Sequence, residues 1–204
     1  MATDGFRLIR KALSPAEQRR LVKAVEAVAD AAPFYQPTMP KTGKPFSVRM
    51  TNAGPLGWVS DKAGGYRYQP LHPITGKPWP AIPKMLLQVW KEHADYPLAP
   101  EACLINHDEA GARMGSHQDR DEQDLAAPVV SVSLGDDAVF HVGGRKRDDP
   151  KERVRLQSGD VVVLGKAARL AYHGIDRVFA GSSDLLPAGG RINLTLRRVR
   201  PAEA

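Results

Sequence analysis

The stretch "MGSHQDRDE", residues 114–122, sets His117 and Asp119 one residue apart and runs on into the apolar segment "APVVSVSLG". In an extended chain alternate side chains point the same way, so an imidazole and a carboxylate at this spacing can reach one metal ion. That pair needs a third ligand. His72, His93, His107, His141 and His173 are the candidates. His72 and His93 lie outside the strand-like part of the chain, and His107 sits beside a different strand end. His141 is inside "AVFHVGG". His173, in "LAYHGI" after the apolar run "GDVVVLG", best fits a ligand brought in from a distant strand. Two imidazoles and one carboxylate on one face of an ion leave three positions open, as in non-haem iron(II) sites.

The run "RINLTLR" is the second chemical feature. Arg191, Asn193, Thr195 and Arg197 alternate with Ile192, Leu194 and Leu196, so one face is apolar and the other wholly polar. An edge strand wetted on one side shows the same alternation. A sandwich enclosing a ligand would instead line its cavity with that polar face. Two arginines there suit a dicarboxylate, because the planar guanidinium grips carboxylates bidentately.

These residues need positioning elements. "SPAEQRRLVKAVEAVADAA" predicts a helix. Ser14 caps it, Pro15 takes the first turn, Glu17 completes a capping box, and Leu21, Val25 and Val28 form one stripe. Pro33 ends it. Residues 33–80, rich in Pro, Gly and aromatics, read as short strands in a long structured cover. "PKMLLQVWKEHADY" predicts a second helix with Leu86, Val89, Trp90 and His93 on one face, closed by Pro97 and Pro100. From about residue 102, "ACLIN", "PVVSVSL", "AVFHV", "RVRLQ", "DVVVL", "LAYHGI" and "RINLTLRRV" are short strands separated by turn residues. That rhythm implies a sandwich or barrel, not βαβ units.

The 204 residues suit one domain. Lys and Arg number 29 against 23 acidic residues, a net charge of +6 compatible with a polyanionic partner. Cys103 is the sole cysteine, which excludes an internal disulfide framework and fits a reducing compartment. "MATDGFRLIRKAL" lacks the apolar core of a secretory signal, and no stretch has the length of a membrane span. The expectation is a cytoplasmic protein.

From "ACLIN" to "RINLTLRR" the chain resembles the AlkB family of iron(II)/2-oxoglutarate-dependent nucleic-acid dealkylases. The resemblance rests on "HQDRDE", "SVSLG", "GGRKRDDP", "GDVVVLG", "YHGI" and "RINLTLR" together; "MTNAGPLGW", "GYRYQP" and "PITGKPWPAIP" extend it upstream. It implies a mainly β fold with flanking helices, a double-stranded β-helix (jelly roll). Residues 1–100 would supply N-terminal helices and a nucleotide-recognition cover, and residues 101–200 the catalytic core of a single domain spanning 1–204.

By motif match, His117, Asp119 and His173 are the implied iron ligands and catalytic centre. Arg191 pairs with the distal carboxylate of 2-oxoglutarate, and Asn106, Asn193 and Arg197 surround that co-substrate. Trp58 stacks on the flipped base opposite His117, Tyr66 and Asp121 contact the nucleotide, and Arg147 stands beside the base pocket. The implied reaction consumes dioxygen and 2-oxoglutarate and oxidises an N-methyl group of N1-methyladenine or N3-methylcytosine. A carbinolamine results and collapses to formaldehyde and the repaired base, a direct-reversal DNA repair. The implied partners are alkylated DNA, single-stranded by preference, then double-stranded DNA or RNA; no membrane and no obligate protein partner are expected, and the chain is expected to be a monomer.

One departure stands out. The family usually has a tyrosine two residues after the asparagine matching Asn106, where this chain has Asp108 in "INHDEAG". A carboxylate facing the co-substrate's carboxylate is repulsive unless it is protonated, turned away or bridged by Arg191. Weakened 2-oxoglutarate binding is expected.

Overall fold

The computed structural model describes residues 4–109 and 111–202. β1 (Phe6–Ile9) leads to α1 (Pro15–Ala31), then β2 (Arg49–Ala53) and the hairpin of β3 (Gly57–Asp61) and β4 (Gly65–Gln69). α2 (Lys84–His93) precedes β5 (Ala102–Asp108), β6 (Met114–His117), β7 (Val129–Gly135) and β8 (Ala138–Val142). β9 (Glu152–Leu156), β10 (Val161–Leu164), a 3-10 turn (Lys166–Leu170), β11 (His173–Val178) and β12 (Arg191–Arg197) complete the chain.

Two antiparallel sheets face each other. The larger runs β1-β10-β7-β12-β5-β2 and the smaller β6-β11-β8-β9. Both edges of the larger sheet, β1 and β2, come from the first hundred residues, so the jelly roll draws strands from either side of residue 100. The start "GFRLI", for which the sequence suggested no element, pairs antiparallel with β10 from Phe6↔Leu164 to Ile9↔Val161.

Strand alternation explains the layering. Val161 and Val163 of β10, Val130, Val132 and Leu134 of β7, and Ile192, Leu194 and Leu196 of β12 share one cluster with Leu21 and Val25 of α1 and Leu86 and Val89 of α2. The two helices therefore cover the outer face of the larger sheet. Val162 and Leu164 turn the other way and meet Phe140, Leu156 and Ile175 between the sheets. Each such buried side chain contributes roughly 1.5–3 kcal/mol of burial free energy. α1 begins as predicted: Ser14 accepts from the Glu17 N–H while Glu17 accepts from the Ser14 N–H, and Ala32 caps the end just before Pro33.

Two local readings need correction. "LAYHGI" is not strand throughout; its start belongs to the 3-10 turn, and β11 begins only at His173. Arg169 in that turn is buried and donates to the Ala127 carbonyl, an anchor that an extended chain would break. Asp119 likewise lies beyond β6, which ends at His117, so the H-x-D pair is not held by strand alternation. Among the described residues no helix is long and apolar enough to cross a membrane.

Candidate active site

β6 and β11 bring the histidines together. His173 and His117 are direct cross-strand partners, their ring centroids 4.5 Å apart. The pairing shifts register at the next positions, between His173 and Ile175. A Cβ at Gly174 would stand 2.4 Å from the Met114 carbonyl oxygen, so the two backbones approach this closely only because residue 174 is glycine. Each imidazole is oriented by the carbonyl two residues before it: Nδ1 of His117 lies 3.0 Å from the Gly115 carbonyl, and Nδ1 of His173 3.0 Å from the Ala171 carbonyl. A proton on each Nδ1 satisfies those carbonyls and leaves both Nε2 lone pairs free for a metal.

Asp119 bridges the two. Its Oδ1 is 3.6 Å from His117 Nε2 and its Oδ2 3.6 Å from His173 Nε2. The three donor atoms lie within 4.8 Å of one another, the spacing one ion can share. Burial alone would raise the Asp119 pKa, but Arg197, His173, His117 and Arg169 outweigh it and hold the carboxyl far below the usual range. Burial pushes His173 down to about 4, against the pull of Asp119, so it stands neutral and ready to ligate at neutral pH.

A network that the sequence did not disclose fixes Asp119. Arg197 reaches Asp119 Oδ1 at 2.9 Å and Glu122 Oε1 at 2.7 Å. Arg169 reaches Glu122 Oε2 at 2.9 Å, and the Tyr68 hydroxyl donates to Glu122. Glu122, Arg169 and Tyr68 had no assigned role. Glu122 stood in the charged stretch itself, but its burial depends on a turn and a hairpin distant in sequence. Arg197, expected beside the co-substrate, lines the cavity but is committed to the ligand carboxylate.

The cavity between the sheets holds about 690 Å³. His117, Asp119 and His173 line it together with Asn106, Arg191 and Asn193 from β5 and β12. Arg191 donates to Asp108 at 2.8 Å and to Ser133 at 2.9 Å. Asn193 donates to Ser131 at 2.6 Å and accepts from Thr195 at 2.9 Å, which gives Thr195 a positioning role. Asn106 Oδ1, Arg191 Nε and Arg197 Nε are buried and have no hydrogen-bond partner among the described residues. Orphaned buried polar groups are rare because each forfeits its hydration. Here all three residues line a cavity large enough for a small polar ligand.

At the mouth, Trp58 on β3 and Tyr66 on β4 stack, centroids 5.5 Å apart. Trp58 Nε1 donates to Asp121 at 2.8 Å, and all three residues line the cavity. Arg147 does not. It is exposed, donates to the Ser116 carbonyl beside His117, and lies over the Tyr172 ring. Two of the other histidines are satisfied elsewhere. His141 sits between Asp176 and Ser116, and His72 accepts the Ile74 and Thr75 N–H groups while its Nε2 meets the Pro33 carbonyl.

A jelly roll with two histidines and a carboxylate beside buried arginines defines an iron(II) oxygenase class, and the 2OG-Fe(II) oxygenase superfamily model matches residues 5–197. The Alpha-ketoglutarate-dependent dioxygenase AlkB homolog of Caulobacter vibrioides is 54% identical over 200 residues, covering 97% of this chain and 89% of that protein. The Alpha-ketoglutarate-dependent dioxygenase AlkB of Escherichia coli is 46% identical over 207 residues, covering 100% and 94%. The solved structure of OsALKBH1 superposes with a TM-score of 0.83 at 28% identity, covering 97% of this chain and 98% of that one. The chain belongs to the AlkB family of these oxygenases. Iron(II), 2-oxoglutarate and dioxygen come with that membership, and the donor set, the orphaned polar atoms and the cavity volume fit them.

Proposed function

We propose that this protein is an oxidative dealkylase of nucleic acids, acting on N1-methyladenine and N3-methylcytosine in DNA, single-stranded by preference, and in RNA. The observation that carries the reading is one continuous cavity. His117, Asp119 and His173, close enough to share one ion, line it together with the buried Arg191, and so does the stacked pair of half-buried Trp58 and exposed Tyr66.

His117, Asp119 and His173 would hold iron(II), and Arg191 with Asn106 and Asn193 would hold 2-oxoglutarate. When bound, the metal and co-substrate supply the oxidation of the methyl carbon, with release of succinate and carbon dioxide. The chain's own residues do the rest. Trp58 offers a face for a base taken out of the stack, returning roughly 1–3 kcal/mol against an unstacking cost of a few kcal/mol. Asp121, pinned by Trp58 Nε1, presents a carboxylate beside that face. It favours a cationic methylated base over a neutral one, and bases methylated on the pairing edge cost less to extract. Tyr66 extends the stacking surface, and Arg147 at the rim is placed to meet the strand. The double Nδ1 anchoring holds both imidazoles in the ligating tautomer.

The protein acts as a cytoplasmic monomer without a protein partner in this reading. Mass spectrometry of oligonucleotides bearing single methyl lesions, with and without 2-oxoglutarate, tests it. Loss of one methyl mass matched by formaldehyde and succinate is expected. Unchanged lesions beside succinate formation on a small molecule or protein would transfer the oxygenase to another substrate class.

A further inference from the structure

Asp108 stands where a dicarboxylate must enter. It lies directly opposite Arg191 across the β5–β12 ladder, both are buried, and both line the cavity. Its Oδ2 takes one arm of the guanidinium at 2.8 Å, and Ser133 takes the other at 2.9 Å. Nε of Arg191 remains without a partner. The protein thus carries its own carboxylate on the arginine that would bind the co-substrate's.

Among the described residues, the other buried arginines near this pair already hold carboxylates of their own. On β5, Asn106 is neutral and His107 points to the opposite face, against Phe34. β2 begins with Arg49 opposite His107, where Arg49 is exposed, and places Met50 opposite Asn106. From β12 and β7 come Asn193, Ser131 and Ser133, none of them charged. Met114, Phe140 and Ile175 face the cavity from the smaller sheet. Asp136, after β7, is taken up by the N–H groups of Ser182, Ser183 and Gly190. Arg113 and Arg120 line the cavity but are exposed. Arg197 is bound to Asp119 and Glu122. Two ionised carboxylates would share one guanidinium in a site shielded from water, and in such sites one of the pair retains a proton.

We propose that Asp108 makes co-substrate binding proton-linked: the dicarboxylate enters the Arg191 fork together with one proton, held between Asp108 and the incoming carboxylate. The inference rests on the reading of this cavity as a 2-oxoglutarate site. Linkage sets the sign, because a ligand that brings a proton with it binds more weakly as pH rises, by up to about tenfold per pH unit.

The test is calorimetric titration of the full chain, loaded with iron(II) under anaerobic conditions, in buffers of different ionisation enthalpy between pH 6 and 8. With 2-oxoglutarate, uptake approaching one proton per molecule bound and an affinity falling with pH are expected. Asp108→Asn should abolish both. Pyruvate, which has the keto-acid end without the distal carboxylate, should bind the unaltered protein with no uptake, and this arm stands even if the variant does not fold. If 2-oxoglutarate binds the unaltered protein with no uptake and no pH dependence, the proton linkage is overturned while the co-substrate reading survives. Failure of 2-oxoglutarate to bind either protein overturns both.

Discussion

Glu122→Gln removes the centre of the buried network at nearly constant volume. The Glu122 side chain is fully buried and takes Arg197 at 2.7 Å, Arg169 at 2.9 Å and the Tyr68 hydroxyl. Without its charge, two buried guanidiniums are left with Asp119 as their nearest carboxylate. Breaking a buried pair from one side costs about 3–5 kcal/mol. For a chain of this length, with about 2–4 °C per kcal/mol, the metal-free variant should melt roughly 6–20 °C below the unaltered protein. The pH dependence has a definite sign. Burial pushes the Glu122 carboxyl upward, and Asp119 adds to that, but Arg197, Arg169 and the Tyr68 hydroxyl together outweigh them and leave the group below the ordinary glutamate range. Its stabilisation is therefore fully present above the unfolded value of about 4.3 and is lost as pH falls through the lower folded value. The gap between the two proteins should narrow on acidification. Thermal melts from pH 7 down to pH 3 measure it. A Tm change below about 2 °C at pH 7 would refute the claim that these charges depend on one another.

His117→Ala should abolish metal binding and formaldehyde release while the fold and oligonucleotide affinity persist; metal content by mass spectrometry and a melt check both. It is the cleaner ligand variant, because Asp119→Ala also removes one of the two carboxylates that hold Arg197. Trp58→Ala should weaken binding of a methylated oligonucleotide by roughly 5- to 150-fold, the equivalent of about 1–3 kcal/mol of stacking, as read by fluorescence anisotropy. Asp108→Tyr should bind 2-oxoglutarate more tightly than the unaltered protein, and equal affinities in a titration would remove the expected penalty. Ser14→Ala should cost about 1 kcal/mol of stability through the lost capping box, measured by urea denaturation.

The elements most legible in the sequence were those whose pattern is local. α1 shows its cap, first-turn proline and stripe within its own seventeen residues and the one before them, and β12 shows both faces in seven residues. The ligands His117 and His173 could be nominated for the same reason, each lying at the edge of an apolar run. Their meeting could not be read from spacing, since it depends on cross-strand pairing of β6 with β11 and on the absence of a side chain at Gly174. β1 was missed because "FRLI" is too short to show a period, and it becomes a strand only beside β10. Glu122 and Arg169 escaped notice because an isolated charge in sequence is ordinarily solvated, and only the folded chain shows which charges lose their water.

Charge arithmetic ties the hidden network to the reaction. Among the buried residues at and beneath the cavity, Arg169, Arg191 and Arg197 oppose Asp108, Asp119 and Glu122, three charges against three. That buried set is balanced, so a divalent cation brings an excess of two positive charges. A dicarboxylate brings two negative charges. The empty pocket can stay folded because its charges pair internally, and metal and co-substrate complete each other instead of drawing on unpaired protein charge. A tyrosine at position 108 would break that balance by one unit and leave Arg191 free for the incoming acid. The aspartate thus sets a pocket that is more stable when empty against one that grips its ligand harder, and the melting temperatures and affinities of Asp108→Tyr should move in opposite directions: a lower Tm without ligand and a tighter hold on 2-oxoglutarate.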